Sequence, residues 1–304
     1  MMRIRIAIVL ALALGLLATT SRAARGDEKA RADELLAQAR AALGGDAKLK
    51  AVQSLTVSGQ MRQVVGGDGD EQIQGEIEFD LLLPDKYLRT ETTSVGDGLT
   101  EITRISGING EQAFLDAHAS GGGGMVIIRP GPSDPKSLAA QSRALHKEFA
   151  RQLLSWLLVA PATLPLEYSY AGEAEVKDGK ADAIDVKGPD DFAARLFLDK
   201  QTHRPLLLSY RGPQPRMGMV RRQVSDHPDE AEKQRKEIEA QAAKQADQPQ
   251  PLVDIEVYFA EYRAEDGILL PHRITRSVNG QFNEEWELSK FKINPPLKAD
   301  KFKK

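Results

Sequence analysis

The side chains that could do chemistry are few and poorly spaced for it. The five histidines are His118, His146, His203, His227 and His272. None falls at HxH, HxxxH or HExxH spacing, so no two of them share a strand or helix face as paired zinc ligands do. There is no cysteine, which removes disulfides, thiolate nucleophiles and thiolate-held metals. No GxSxG segment is present to form a nucleophile elbow. The run Gly121–Gly124 is not followed by Gly-Lys-Ser/Thr and reads as a flexible loop rather than a phosphate cradle. Asp68 and Asp70 sit in a glycine-rich stretch, Gly66–Asp70, but the later acid of a calcium loop is missing, so a hairpin turn is the simpler reading. Glu76, Glu78 and Asp80 alternate along one strand and are expected on its solvated face. Arg216, Arg221 and Arg222 precede an acidic segment, and charge complementarity within the chain explains them as well as an anionic ligand does. No catalytic residue, metal ligand or cofactor is therefore expected. What remains is burial of apolar groups.

Composition agrees with a binding role. The 304 residues include 41 Lys+Arg and 44 Asp+Glu, a formal charge of −3, with no basic excess of the kind a nucleic-acid-coating surface shows. Arg3 and Arg5 lead into the apolar run Ile6–Ala18, and Ser21-Arg22-Ala23 supplies small residues around a cut. Residues 1–23 are thus expected to be a cleaved secretory signal, with removal near Ala23 leaving an exported, periplasmic, soluble chain. The absence of cysteine also leaves no residue for an N-terminal lipid anchor.

The elements that follow are mainly β. Residues 27–43 carry an apolar face at Leu35, Leu36, Ala39, Ala42 and Leu43 and predict a helix ended by Gly44-Gly45. Asp46 is expected to cap a short turn. Leu55, Val57, Gly59 and Met61, and then Ile73, Gly75, Ile77, Phe79, Leu81 and Leu83, alternate with polar residues at the period of two that marks half-buried strands. Asn109-Gly110 is a hairpin signal. Asp134-Pro135 starts a second helix whose far end is strongly apolar (Phe149, Leu153, Leu154, Trp156, Leu157, Leu158). Trp156 there reads first as core and second as one wall of a lipid cleft. More alternating strands follow, with a turn at Asp199–Thr202 and a parity shift near Phe291 and Ile293 that predicts a bulge. Residues 226–250 break this pattern, being rich in charge and glutamine with Ile238 the one large aliphatic. They read as a hydrophilic insertion.

Taken in order, the helix ending AALGGDAKLKAVQSLTVSG, the segment LLLPDKYLRTE, the turn GING, the helix end LLSWLLVAP, the strand–turn–strand LFLDKQTHRPL and the closing IEVYFAEYRAEDGILLPHRITRSVNG resemble the LolA/LolB-like superfamily of exported lipoprotein carriers and RseB-type envelope sensors, closest to outer-membrane lipoprotein-sorting-like members. The resemblance implies a mainly β (α+β) chain: one domain over 24–304, built as a half-open antiparallel β-barrel with helices plugging its concave face. It implies a non-enzymatic, carrier-like protein holding lipid or lipoprotein acyl chains, with transient membrane contact. The alternative is an envelope sensor or scaffold that uses the same barrel to contact a protein partner. Val57, Ile77, Phe79, Leu81, Leu153, Trp156 and Leu157 are the residues expected to line the ligand cavity. The carrier family's gating arginine falls on neither Arg62 nor Arg89 by any motif.

Overall fold

A computed structural model describes residues 26–303 apart from 66–70, 96–97, 99, 122–124, 127–134, 178, 216–221, 224–229, 231, 235, 238–239 and 241–249. The expected signal peptide, the Gly66–Asp70 turn, Arg216 and Arg221, most of the glycine run and most of the 226–250 segment lie outside the described residues.

Helix α1 spans residues 26–42. Ala32, Leu35, Leu36, Ala39 and Leu43 recur on one face and are at most 1% exposed, the stripe an amphipathic helix buries. The chain then turns through Gly44 and Gly45, both at positive φ. Gly44 has a second constraint: a Cβ there would sit 2.4 Å from the Gly267 carbonyl oxygen. The short helix α2, Asp46–Lys50, follows directly. Asp46 makes no capping hydrogen bond. It lies in the first turn of α2 and pairs with Lys50 at 2.6 Å.

Strands β1 (Ser54–Val65), β2 (Glu71–Leu82), β3 (Lys86–Val95), β4 (Thr100–Asn109) and β5 (Gln112–Gly121) form an antiparallel meander. The β4–β5 hairpin turns at Gly110, φ 62°, where the Asn-Gly pair predicts it. After a two-residue strand β6 (Met125–Val126) comes helix α3, Pro135–Leu157, with the proline at its start. A second meander contains β7 (Glu167–Val176), β8 (Gly179–Gly188), β9 (Phe192–Asp199), β10 (Pro205–Pro213), β12 (Leu252–Glu265), β13 (Ile268–Val278) and β14 (Gln281–Ile293). Strand β11 (Arg222–Gln223) leaves this order and pairs with β6. The β9–β10 turn is held by Asp199, whose Oδ1 accepts from the Gln201 and Thr202 amides and the Thr202 hydroxyl at 2.6–3.1 Å.

The two meanders become one sheet because the first strand pairs with the last. Leu55 to Gln63 of β1 run antiparallel to Ile293 to Glu284 of β14, which gives the order β5-β4-β3-β2-β1-β14-β13-β12-β10-β9-β8-β7. The predicted bulge is at this seam, where the register shifts between Ser58 and Gly59 opposite Lys290 and Leu288. The strands are therefore a mostly antiparallel, twelve-stranded, half-open sheet with α1 and α3 against its inner face.

The outer face is not uniformly solvated, which corrects one expectation. Asp80 is 1% exposed. It accepts from the Thr56 hydroxyl at 2.7 Å and pairs with Lys301, which also reaches Glu78 at 3.2 Å. The chain's last segment folds over this strand face through a 3-10 turn at Ala299–Phe302 and buries Phe302 completely. A carboxylate on the polar parity is thus enclosed by a segment far away in sequence.

Candidate binding site on the concave face

The inner face of the sheet has two halves of opposite character. The apolar half is built by β1 and β2 against the C-terminal part of α3. Val57, Ile77, Phe79, Leu81, Leu153, Trp156 and Leu157 are all brought together there, none more than 1% exposed. Phe79 is central: its ring meets Trp156 edge-on at 5.2 Å and 86°, and Trp286 at 5.0 Å, both favourable aromatic separations. The void between α3 and the strands from β10 to β14 is about 20 Å³, roughly the room one water needs.

The charged half begins on the next strand, where Tyr87, Arg89 and Glu91 of β3 lie opposite Leu81, Phe79 and Ile77 of β2. Tyr87, Arg89 and Glu91 share the inner parity of β3, opposite Ile108, Ser106 and Arg104 of β4. Arg276 of β13 faces Glu284 of β14, next to the Ile274–Trp286 pair, and α3 adds Glu148 and Arg151. Arg89 bonds Glu91 at 2.6 Å and Glu284 at 2.7 Å. Arg276 bonds Glu148 at 2.8 Å and lies 3.5 Å from Glu284. Among the described residues, Arg104 pairs with Glu91 alone, at 3.7 Å, and Arg151 with Glu148 alone, at 3.9 Å. Arg151 also stacks over the Tyr210 ring at 3.7 Å, and Arg89 lies over Trp286 at 4.8 Å. Phe79 and Trp286 therefore form the seam between the halves.

Burial sets the electrostatics. By itself it would raise the Glu148 carboxyl, but Arg276, Arg151 and Arg89 outweigh it and hold the group below its ordinary range. Burial likewise opposes charge on Arg89 and Arg276, yet the surrounding groups keep both pKa values above the usual guanidinium range, Glu91 and Glu284 for Arg89, Tyr210, Glu148 and Glu284 for Arg276. The Tyr87 hydroxyl is pushed up by burial. Beside these groups, between β3–β5 and the exposed half of α3, opens a cleft of about 290 Å³ lined by Tyr87, Arg89, Glu91, Arg104, Ser106 and Glu148 among others.

Sequence reasoning found the apolar half and missed the charged one. The signal was available, since counting parity from Tyr87 along β3 puts Arg89 and Glu91 inside. The two arginines that no motif separates part company in the structure. Arg62 lies on the outer side, half exposed, 2.9 Å from Glu285, whereas Arg89 is in the buried network. Among the histidines, His146 joins α3 to the β4–β5 turn, its ring nitrogens 2.8 Å from the Ser142 carbonyl and 3.0 Å from that of Gly110. His272 is buried against Phe291, 3.2 Å from Glu265. No group of three metal-ligating side chains occurs among the described residues, and no described helix is long and apolar enough to cross a membrane.

A half-open antiparallel sheet filled by helices, with a concave face divided between apolar and charged walls, is the class of structure these residues define. Solved structures similar to it include a LolA superfamily protein from Nitrosomonas europaea, 11% identical over 90% of this chain and 97% of that one, TM-score 0.45. A DUF1329 family protein from Desulfovibrio piger is 10% identical over 90% and 97%, TM-score 0.45. A domain described as an outer membrane lipoprotein-sorting protein, from Vibrio parahaemolyticus, is 10% identical over 89% and 97%, TM-score 0.44. At these levels no residue correspondence passes from those proteins to this chain. No protein-family model matches the sequence, and no curated protein does.

Proposed function

We propose that this chain is an exported, carrier-like binding protein that takes up an acyl chain of a lipid or lipoprotein between the apolar half of the sheet and the C-terminal part of α3. The observation that carries the reading is the apolar wall of Val57, Ile77, Phe79 and Leu81 covered by Leu153, Trp156 and Leu157 of one helix. That helix is attached to the sheet through side chains, with Arg40 of α1 donating to the Leu158 carbonyl at 3.1–3.2 Å at its end.

Magnitudes decide how far α3 moves. Burying ten methylenes contributes about 8 kcal/mol at roughly 0.8 each. Exposing Phe149, Leu153, Leu154, Trp156 and Leu157 costs about 1.5–3 kcal/mol apiece, so the sum is as large or larger. A chain of that length cannot expel the helix. It slides beneath a helix that shifts and keeps most of its apolar face covered, and micromolar affinity is the expected scale after immobilisation costs.

The Trp286→Phe variant leaves Trp156 as the single tryptophan. Titration with a fatty acid or an acylated peptide should give a saturable fluorescence change that the Trp156→Phe variant lacks. A flat titration, with no acyl species extracted from the purified protein, would sink the carrier reading and leave the sensor or scaffold alternative, in which the same barrel contacts an envelope protein.

A further inference from the structure

Three glutamates serve four arginines in the charged half. Glu91 is shared by Arg89 and Arg104, Glu284 by Arg89 and Arg276, and Glu148 by Arg276 and Arg151. The seven-residue cluster thus carries one uncompensated positive charge. Arg104 and Arg151 are the weakly paired members, at 3.7 and 3.9 Å, and each has a buried nitrogen with no hydrogen-bond partner; Arg151 stacks on Tyr210, whereas Arg104 borders the cleft. Two neighbours of Arg104 are in the same condition: Arg89 Nε and the Tyr87 hydroxyl are buried and unpartnered, and Tyr87 is 0% exposed. All three residues line the cleft of about 290 Å³ beneath α3. Buried donors are normally satisfied, and a buried arginine excess is normally matched by an anion.

We propose that this cleft is an anion site that takes one oxyanion group, a phosphate or a carboxylate, held by Arg104 and Arg89 with Tyr87 donating a third hydrogen bond. Two arginines and a tyrosine among the residues lining a space of that size suit a tetrahedral or planar group of oxygens, which accepts several donors at once. Glu91 and Glu148 also line the cleft, and both are engaged with arginines, so they repel an entering anion less than free carboxylates would. One negative charge brings the cluster to neutrality. The inference stands apart from the acyl-chain reading, because it rests on the charged half alone and requires no chain to be bound. The anion's source is either a free ion or the head group of an amphiphile whose tail runs past Trp286 into the apolar half.

Calorimetric titrations of the intact protein with inorganic phosphate, octyl phosphate and octanol separate these cases. Octyl phosphate binding at least tenfold tighter than both octanol and inorganic phosphate, with Arg104→Gln removing its advantage over octanol, supports the site and assigns an amphiphile. Inorganic phosphate binding as tightly as octyl phosphate, again lost in Arg104→Gln, supports the site and assigns a free ion. Arg104→Lys should keep part of the affinity in either case. Tyr87→Phe guards against a folding artefact: it deletes an unpartnered hydroxyl, so its thermal midpoint should not fall, while phosphate affinity drops severalfold. Phosphate binding unchanged in both Arg104→Gln and Tyr87→Phe, or no measurable binding of either phosphate, overturns the proposal. Neither result touches the Trp156 titration, so the two readings fail separately.

Discussion

The two halves of the concave face lie on neighbouring strands of one sheet, with Phe79 of β2 directly opposite Arg89 of β3, and bury side chains to similar depth by opposite physics. The apolar half gains from every ångström of surface removed from water and needs no partner geometry. The charged half loses hydration for each guanidinium and carboxylate and recovers it only through ion pairs near 2.6–2.8 Å. Apolar packing tolerates replacement of one occupant by another of similar volume, so it suits an exchangeable chain. A network of fixed pairs tolerates no loss of a member but discriminates sharply between charges. On the proposed readings, one sheet offers capacity on one side and selectivity on the other.

Introducing the chemistry of one half into the other should have the largest effect. Phe79→Asp removes the ring packed against Trp156 and Trp286 and buries a carboxylate beside Arg89, and a loss of at least about 3–5 kcal/mol from the lost packing, or failure to fold, is expected. A urea midpoint close to the wild-type value would show that Phe79 does not face the core. Next is Glu284→Ala, which strips Arg89 and Arg276 of a shared partner that is itself 1% exposed. Removing one member of a buried pair costs about 3–5 kcal/mol; a loss under about 1 kcal/mol in the same melt would mean that the network is solvated.

The third effect is smaller and depends on pH. The Glu148 carboxyl titrates lower in the folded chain than in the unfolded one, so its contribution is full above about pH 4.3, the ordinary glutamate value, and is lost as pH falls through the depressed folded value. Glu148→Gln should cost about 2 kcal/mol at pH 7, and the gap between the two thermal midpoints should narrow as pH falls from about 5 toward the depressed folded value. A gap constant over that range would contradict the pairing with Arg276. Smallest of all is Glu78→Ala, on the outer parity beside Phe79. Its ion pair with Lys301 is about half exposed, so a change within about 0.5 kcal/mol is expected. Equal losses at positions 78 and 79 would erase the distinction between inner and outer faces.

Much of this architecture is legible in the sequence because strand alternation reports burial directly. The parity of Ile77, Phe79 and Leu81, the Asn109-Gly110 turn, the Pro135 helix start and the shift near Phe291 all appear in the structure as local periodicity and turn chemistry require. The β1–β14 pairing does not, because nothing in Leu55 or Ile293 names its partner across more than two hundred residues. The charged half was hidden for a different reason. Arg89, Glu91 and Arg104 sit on one hairpin whose parity can be counted, but Glu284, Arg276 and Glu148 come to them only through the β1–β14 pairing and the placement of α3. Asp80 was misassigned for the same reason: its partner Lys301 comes from the far end of the chain.

The pairing of β1 with β14 also has a consequence in time. During synthesis the N-terminal meander emerges first, and β1 must wait with one edge unpaired until Gln281–Ile293 arrives. Contacts of such long sequence separation form late and slow the search, and an open hydrophobic strand edge is a template for association with other chains. A product truncated before Gln281 would keep that edge indefinitely. Its expected fate is aggregation or proteolysis, so the last strand acts as a completeness check on the whole polypeptide.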